Sequence, residues 1–338
     1  MTGRVLCFGE LLMRLSAPDH ELLLQSARLE ARFGGAEVNV AVSLAHFGDA
    51  ARLLSAVPDN ALGAAALGEL RRHGVETKVV RSAPGRLGLY FLTPGAVRRP
   101  SEVLYDRAGS VFAETTPEAF DVEAALEDCV WLHVSGVTPA VGPGATASVL
   151  ALVAAAKAKG VKVSFDGNYR AKMWAAWRGD GPAVLHHILQ SADLLFGDER
   201  DVALVLGTTF EGDLMSRRQA AAQAAFDAFP NLERICATVR QEHGVDDHEL
   251  AATLHTRQGG VRQAQPLRLS GIVDRIGGGD AFAAGVLHGL LQDWPDERTL
   301  AFGLAASAFK HSIPGDFNLA NEATILEAMA ATGLSVRR

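Results

Sequence analysis

Short runs rich in β-branched and aromatic residues alternate with longer Ala- and Leu-rich stretches along most of the chain. RVLCFGE, CVWLHVSG, VKVSFDGN, ADLLFGDE and RICATVRQ end at charged or glycine-bearing turns and read as strands. Residues 38–47, 61–73, 145–159 and 217–228 read as helices between them. This alternation predicts an α/β fold with a mostly parallel central sheet flanked by helices. One segment departs from it. From Arg86 to Val111, two β-type runs surround a Pro/Gly/Arg turn, which predicts an antiparallel hairpin, joined by strand from 11–33. No repeat, low-complexity tract or linker divides the chain. The expectation is one domain over 1–338, with a small β-sheet lid from about 11–33 and 86–112.

Three consecutive glycines, Gly277, Gly278 and Gly279, precede Asp280 and a helix pattern in which Phe282, Val286 and Leu290 share a face. Glycine costs entropy wherever it is ordered. At a helix N-terminus, however, glycines let unpaired amides and the positive dipole end approach an anion. The alternative is a flexible turn with Asp280 as an N-cap. Gly34 and Gly35 repeat the device before a helix that carries Asn39 among Val38, Val42 and Leu44. An amide in apolar company needs a partner, either a ligand hydroxyl or a backbone carbonyl, and the paired glycines favour the ligand.

In an open parallel sheet, ligands bind beyond the carboxyl ends of the strands. DGNYR puts Asp166, Asn168 and Arg170 at such an end, GDERD puts Asp198 and Asp201 at another, and VRQEHG brings Thr238 and Arg240 to a third. Asp166 and Asp198 are equally acceptable as N-caps, and Arg170 as a surface ion-pair partner. His243 and His248 lack the HExxH spacing of a catalytic zinc site.

Composition narrows the function. Hydrophobic residues make up 48% of the 338, the formal net charge is −7, and no basic tract is present, which argues against nucleic acid as a partner but not against a phosphorylated nucleotide. Cys7, Cys129 and Cys236 are scattered, so a reducing cytoplasm is expected rather than a disulfide framework. No apolar run is long enough to span a bilayer, and no membrane role is expected. A nicotinamide-dependent dehydrogenase would need GxGxxG after the first strand, and CFGELLMRLS does not supply it.

GGAEVNVAVSLAHFG and DRIGGGDAFAAG, in this order near opposite ends, resemble the two signatures of the ribokinase-like (PfkB-type) carbohydrate kinase family. HVSGVTPA, FDGNYRAKMW, GLYFL, VLYDRAGS and HSIPGDFN are most similar to the branch that phosphorylates 2-keto-3-deoxygluconate. The resemblance implies a nine-stranded core, a lid that closes over the sugar and often forms a dimer contact, and transfer from ATP to a terminal sugar hydroxyl. It makes Asp280 the base and Gly277, Gly278 and Gly279 the phosphate hole. It assigns the sugar acid to Gly34, Gly35, Asn39, Tyr90, Tyr105, Arg107, Asp166, Asn168 and Arg170. Arg107 and Arg170 would grip a carboxylate, and a neutral sugar would leave them unpaired. The nucleotide falls to Asp198, Thr238, Arg240, Gly244, Gly277, Gly279 and Asn318, and Mg2+ to Asp198 and Asp201 through water; a monovalent cation is compatible. Two positions depart from the family pattern: the acidic motif reads Asp-x-x-Asp rather than Asn-x-x-Glu, and Arg275 replaces a small or hydroxylated residue. Other sugars of the family, or a silent sugar-binding protein, are the alternatives.

Overall fold

The computed structural model describes residues 3–330. In chain order the strands are β1 (Arg4–Phe8), β2 (Leu12–Ser16), β3 (Glu30–Gly34), β4 (Ala51–Leu54), β5 (Ala56–Pro58), β6 (Arg81–Ala83) and β7 (Gly88–Thr93). They continue with β8 (Glu102–Asp106), β9 (Cys129–Ser135), β10 (Lys162–Asp166), β11 (Leu194–Phe196), β12 (Arg234–Glu242), β13 (Asp247–Thr256) and β14 (Val261–Ser270). Eight form the main sheet, in the order β14-β13-β12-β11-β10-β9-β1-β4. Pairing is parallel from β4 to β12 and antiparallel at the β12–β13–β14 edge.

The near-continuous apolar runs follow from burial on both faces. Val5, Cys7, Leu53 and Phe196 face a core shared with the helices Ala36–Phe47, Gly278–Leu291 and Asp296–Lys310. Leu6, Phe8, Leu54 and Phe165 face a second core built with Pro143–Ala158, Gly181–Leu189 and Leu214–Ala228. Helix starts lie up to three residues earlier than periodicity indicates, because caps extend them: Asp213, for example, accepts the Ser216 amide at 2.8 Å.

The main sheet has eight strands where the family resemblance implies nine. Outside β4, among the described residues, there is a single parallel bridge, Arg52 to Glu76, before β6 pairs with β5 in a separate two-stranded sheet.

A third sheet, β3-β2-β7-β8, draws its strands from the two segments that break the sequence alternation. Its chain leaves the main sheet just after β1 and returns just before the helix Ala36–Phe47, so it overhangs the carboxyl ends of the parallel strands. Among the described residues no helix is long and apolar enough to cross a membrane.

Candidate active site

A cleft of about 380 Å³ opens between the small sheet and those strand ends. Its walls include Gly35, Asn39, Tyr90, Tyr105, Arg107, Asp166, Asn168, Arg170 and the run Gly277–Asp280. Twelve of the residues picked out by sequence thus converge from four parts of the chain.

The glycine run begins the helix Gly278–Leu291. Gly277 takes φ +83°, and a Cβ there would lie 1.9 Å from the Asp316 carbonyl oxygen, so neither conformation nor space admits a side chain. A Cβ on Gly278 would meet the His311 ring at 2.6 Å, whereas at Gly279 it would meet open space. No side chain caps this helix, which leaves first-turn amides facing the cleft. The arrangement suits a phosphate.

Asp280 follows in the same turn and is not an N-cap; that position belongs to Gly277. Asn39 Nδ2 donates to Asp280 Oδ2 at 2.7 Å, so the amide's partner within the protein is this carboxylate. Asn39 Oδ1 is buried without a partner. Burial raises the Asp280 carboxyl to about 7, and the Asn39 hydrogen bond works in the opposite direction. Burial, then the neighbouring carboxylates of Asp280 and Asp201, push Asp166 well above the ordinary carboxylate range. Asn168 takes φ 37° and donates to Ser135 Oγ at 3.0 Å.

The two arginines differ, which corrects the expectation that both are left unpaired without a sugar acid. Arg107 is buried and donates through Nε to Glu10 Oε2 at 2.6 Å, while Ser110 Oγ donates to Glu10 Oε1 at 2.6 Å. Arg170 is exposed on the cleft wall and forms no ion pair among the described residues; Nη1 reaches only the Tyr169 carbonyl at 3.3 Å. Tyr90 is buried and its hydroxyl donates to Asp316, while Tyr105 is 45% exposed and stacks beside it at 5.9 Å. Gly34 does not line the cleft. It lies behind the wall, where a Cβ would be 2.1 Å from Asp316 Oδ2.

Several wall residues escape sequence reasoning. Glu10 interrupts an apolar run at the end of β1, a signal in itself. Glu37 accepts the Ser135 amide at 3.0 Å and the Thr138 hydroxyl at 2.5 Å, and burial raises it to about 7. Behind the cleft, Arg14 of β2 pairs with Asp274 at 2.7 Å and with Asp316 at 3.0 Å, all three nearly inaccessible.

The acidic pair serves first as a helix cap. Asp198 accepts the Arg200 amide at 2.8 Å and Asp201 accepts the Asp198 amide at 2.9 Å, a reciprocal capping box for Glu199–Leu206. Arg200 further covers the Asp198 carboxylate. Asp201 packs against Gly167, next to Asp166, and burial raises it to about 6. No group of three metal-binding side chains occurs among the described residues.

Of the expected nucleotide residues, Gly277 and Gly279 line the cleft, whereas Asp198, Thr238, Arg240, Gly244 and Asn318 lie outside its wall. Thr238 and Arg240 are exposed on β12, and the Gly244 amide bonds the Asp247 carbonyl in the β12–β13 turn. Asn318 is fully buried, with Oδ1 on the Ala320 amide at 3.2 Å, so it supports the loop from within.

The PfkB family carbohydrate kinase model matches residues 2–319. A 2-dehydro-3-deoxygalactonokinase of Haloferax volcanii is 35% identical, covering 94% of this chain and 93% of its own. The crystal structure of 2-dehydro-3-deoxygluconokinase from Thermotoga maritima superposes with a TM-score of 0.92 at 34% identity, over 97% of this chain and all of that one. A PfkB family carbohydrate kinase structure from Listeria grayi gives 0.91 at 37% identity, with the same coverage. With the family model matched over residues 2–319 and relatives above 30% identical along almost the whole chain, the chain belongs to the PfkB family of carbohydrate kinases and is a phosphotransferase acting on a sugar hydroxyl.

Proposed function

We propose that this kinase transfers the terminal phosphoryl group of ATP to the terminal hydroxyl of 2-keto-3-deoxygluconate, giving the 6-phosphate and ADP. Asp280 takes the hydroxyl proton as the oxygen bonds to phosphorus and the phosphorus–oxygen bond to ADP breaks. Asn39 holds one Asp280 oxygen and so aims the other at the substrate. First-turn amides of Gly277, Gly278 and Gly279 face the charge on the transferring group. Thr238, Arg240 and Gly244 line the nucleotide's approach, with Asn318 buttressing it. Mg2+, which would neutralise phosphate charge, fits Asp201 through water better than Asp198, whose carboxylate Arg200 already occupies.

One observation carries the choice of a sugar acid: Arg170 stands in the cleft with no salt bridge among the described residues, near enough to Asp166 and Asp280 only for their charges to be felt. A substrate carboxylate supplies one, as two parallel hydrogen bonds to the guanidinium. Arg107, neutralised by Glu10, shapes the wall with Tyr90 and Tyr105. The galacto epimer is the second reading, favoured by the name of the Haloferax relative.

The small sheet acts as the lid. Its outer face, where Leu104 is 59% exposed, is the proposed contact with a second copy. The three unpaired cysteines fit a reducing cytoplasm. Calorimetric titration of Arg170→Met tests the substrate class. Keto-acid affinity should fall about tenfold or more with ATP affinity unchanged; equal losses for both ligands, or none, would contradict it.

A further inference from the structure

Arg275 lies two residues before the first glycine of the phosphate-facing run and lines the same cleft. Its guanidinium is not free. Nη2 pairs with Glu242 Oε1 at 2.6 Å, at the end of β12, where the Glu242 side chain is 56% exposed. Thr238, Arg240 and Glu242 share one face of β12 by strand alternation, so Glu242 continues the row proposed to approach the nucleotide. Arg240 is close enough to Arg275 that burial and then the Arg275 charge lower its pKa. Arg275 alone of the two guanidinia pairs with Glu242, and Arg240 lies near it, beside a glycine-led helix start.

We propose that Glu242 is a built-in competitor for the nucleotide's phosphates. It holds the Arg275 guanidinium that terminal phosphates would otherwise take, and ATP binds by exchanging carboxylate for phosphate at that residue. The exchange is favourable in direction. An exposed Arg–carboxylate pair contributes little, and the released Glu242 returns to water, whereas a guanidinium binds phosphate through two charge-assisted hydrogen bonds. The consequence is nucleotide affinity held below what the cations alone would give. This inference rests on the ATP-dependent reading above.

The test is calorimetric titration of the intact protein, with magnesium, by ATP, inorganic tripolyphosphate and adenosine. Glu242→Gln should tighten ATP and tripolyphosphate about fivefold while leaving adenosine unchanged. Arg275→Met should weaken both phosphate ligands, and Arg275→Lys should lie between it and the wild type. In the Arg275→Met background, Glu242→Gln should have no effect. A neutral or weakening effect of Glu242→Gln would overturn the proposal, as would the same tightening when Arg275 is absent. Failure of the wild type to bind either phosphate ligand would instead overturn the ATP reading on which it rests.

Discussion

At the scale of single residues, the proposed role of Asp280 as the base sets two demands against each other. A base must be ionised to work, and this carboxylate sits where ionisation is costly. The folded chain retains its proton to about pH 7, whereas an unfolded chain releases it near pH 4. Between those values the folded state binds more protons, so stability falls as pH rises. Asp280→Asn should therefore lose roughly 10²–10⁴-fold in turnover, yet melt about 2 °C or more higher at pH 8, with the gain vanishing below about pH 4. Thermal melts across pH beside a rate assay check both. Asn39→Ala removes the hydrogen bond favouring the anion and should move the rising limb of the pH–rate profile upward. The arginines predict a second contrast. Arg107→Met strands the buried Glu10 carboxylate and should cost about 3–5 kcal/mol of stability, while Arg170→Met, at an exposed position, should melt like the wild type.

At the scale of elements, the glycine-led helix start separates two uses of the same residue. Gly277 is required by backbone geometry and by the Asp316 carbonyl behind it. Gly277→Ala should lose ~1–3 kcal/mol together with activity. Gly279 has open space beside it, and alanine is the better helix former by ~0.8–1 kcal/mol. Gly279→Ala should keep or raise the melting temperature while lowering kcat, because its methyl intrudes where the transferring phosphate is proposed to approach. Denaturant unfolding and steady-state kinetics on the pair resolve the two uses. These glycines were legible in the sequence because their cost demands a purpose. The partnering of Arg107 was not, since Glu10 is 97 residues away and only the overhang of the small sheet brings them together. The double duty of Asp198 and Asp201 was half legible: their spacing is equally that of a capping box, and local hydrogen bonds claim both carboxylates first.

At the scale of the molecule, Arg14 ties the small sheet to the loops framing the phosphate-facing run. It binds Asp274, whose Oδ1 holds the Ile276 amide at 3.0 Å, and Asp316, whose carbonyl abuts Gly277. Arg14→Met leaves two buried carboxylates short of a cation and should cost about 3–5 kcal/mol. Lys162→Met, from an exposed pair with Glu233, should stay within ~0.5 kcal/mol of the wild type. Urea unfolding of both variants makes the comparison. The parallel sheet with two buried faces was readable from apolar runs alternating with helices. The eight-strand count was not, because one bridge at Glu76 and a complete edge strand look alike in sequence.

The most direct measurement is ADP release with magnesium and ATP over 2-keto-3-deoxygluconate, its galacto epimer, neutral hexoses, pentoses and nucleosides, with Asp280→Asn as the control. Turnover should be strongest on the keto-deoxy sugar acids and nearly absent in the control. Turnover confined to neutral sugars would contradict the role given to Arg170, and an unimpaired Asp280→Asn variant would contradict the base assignment on which the mechanism stands.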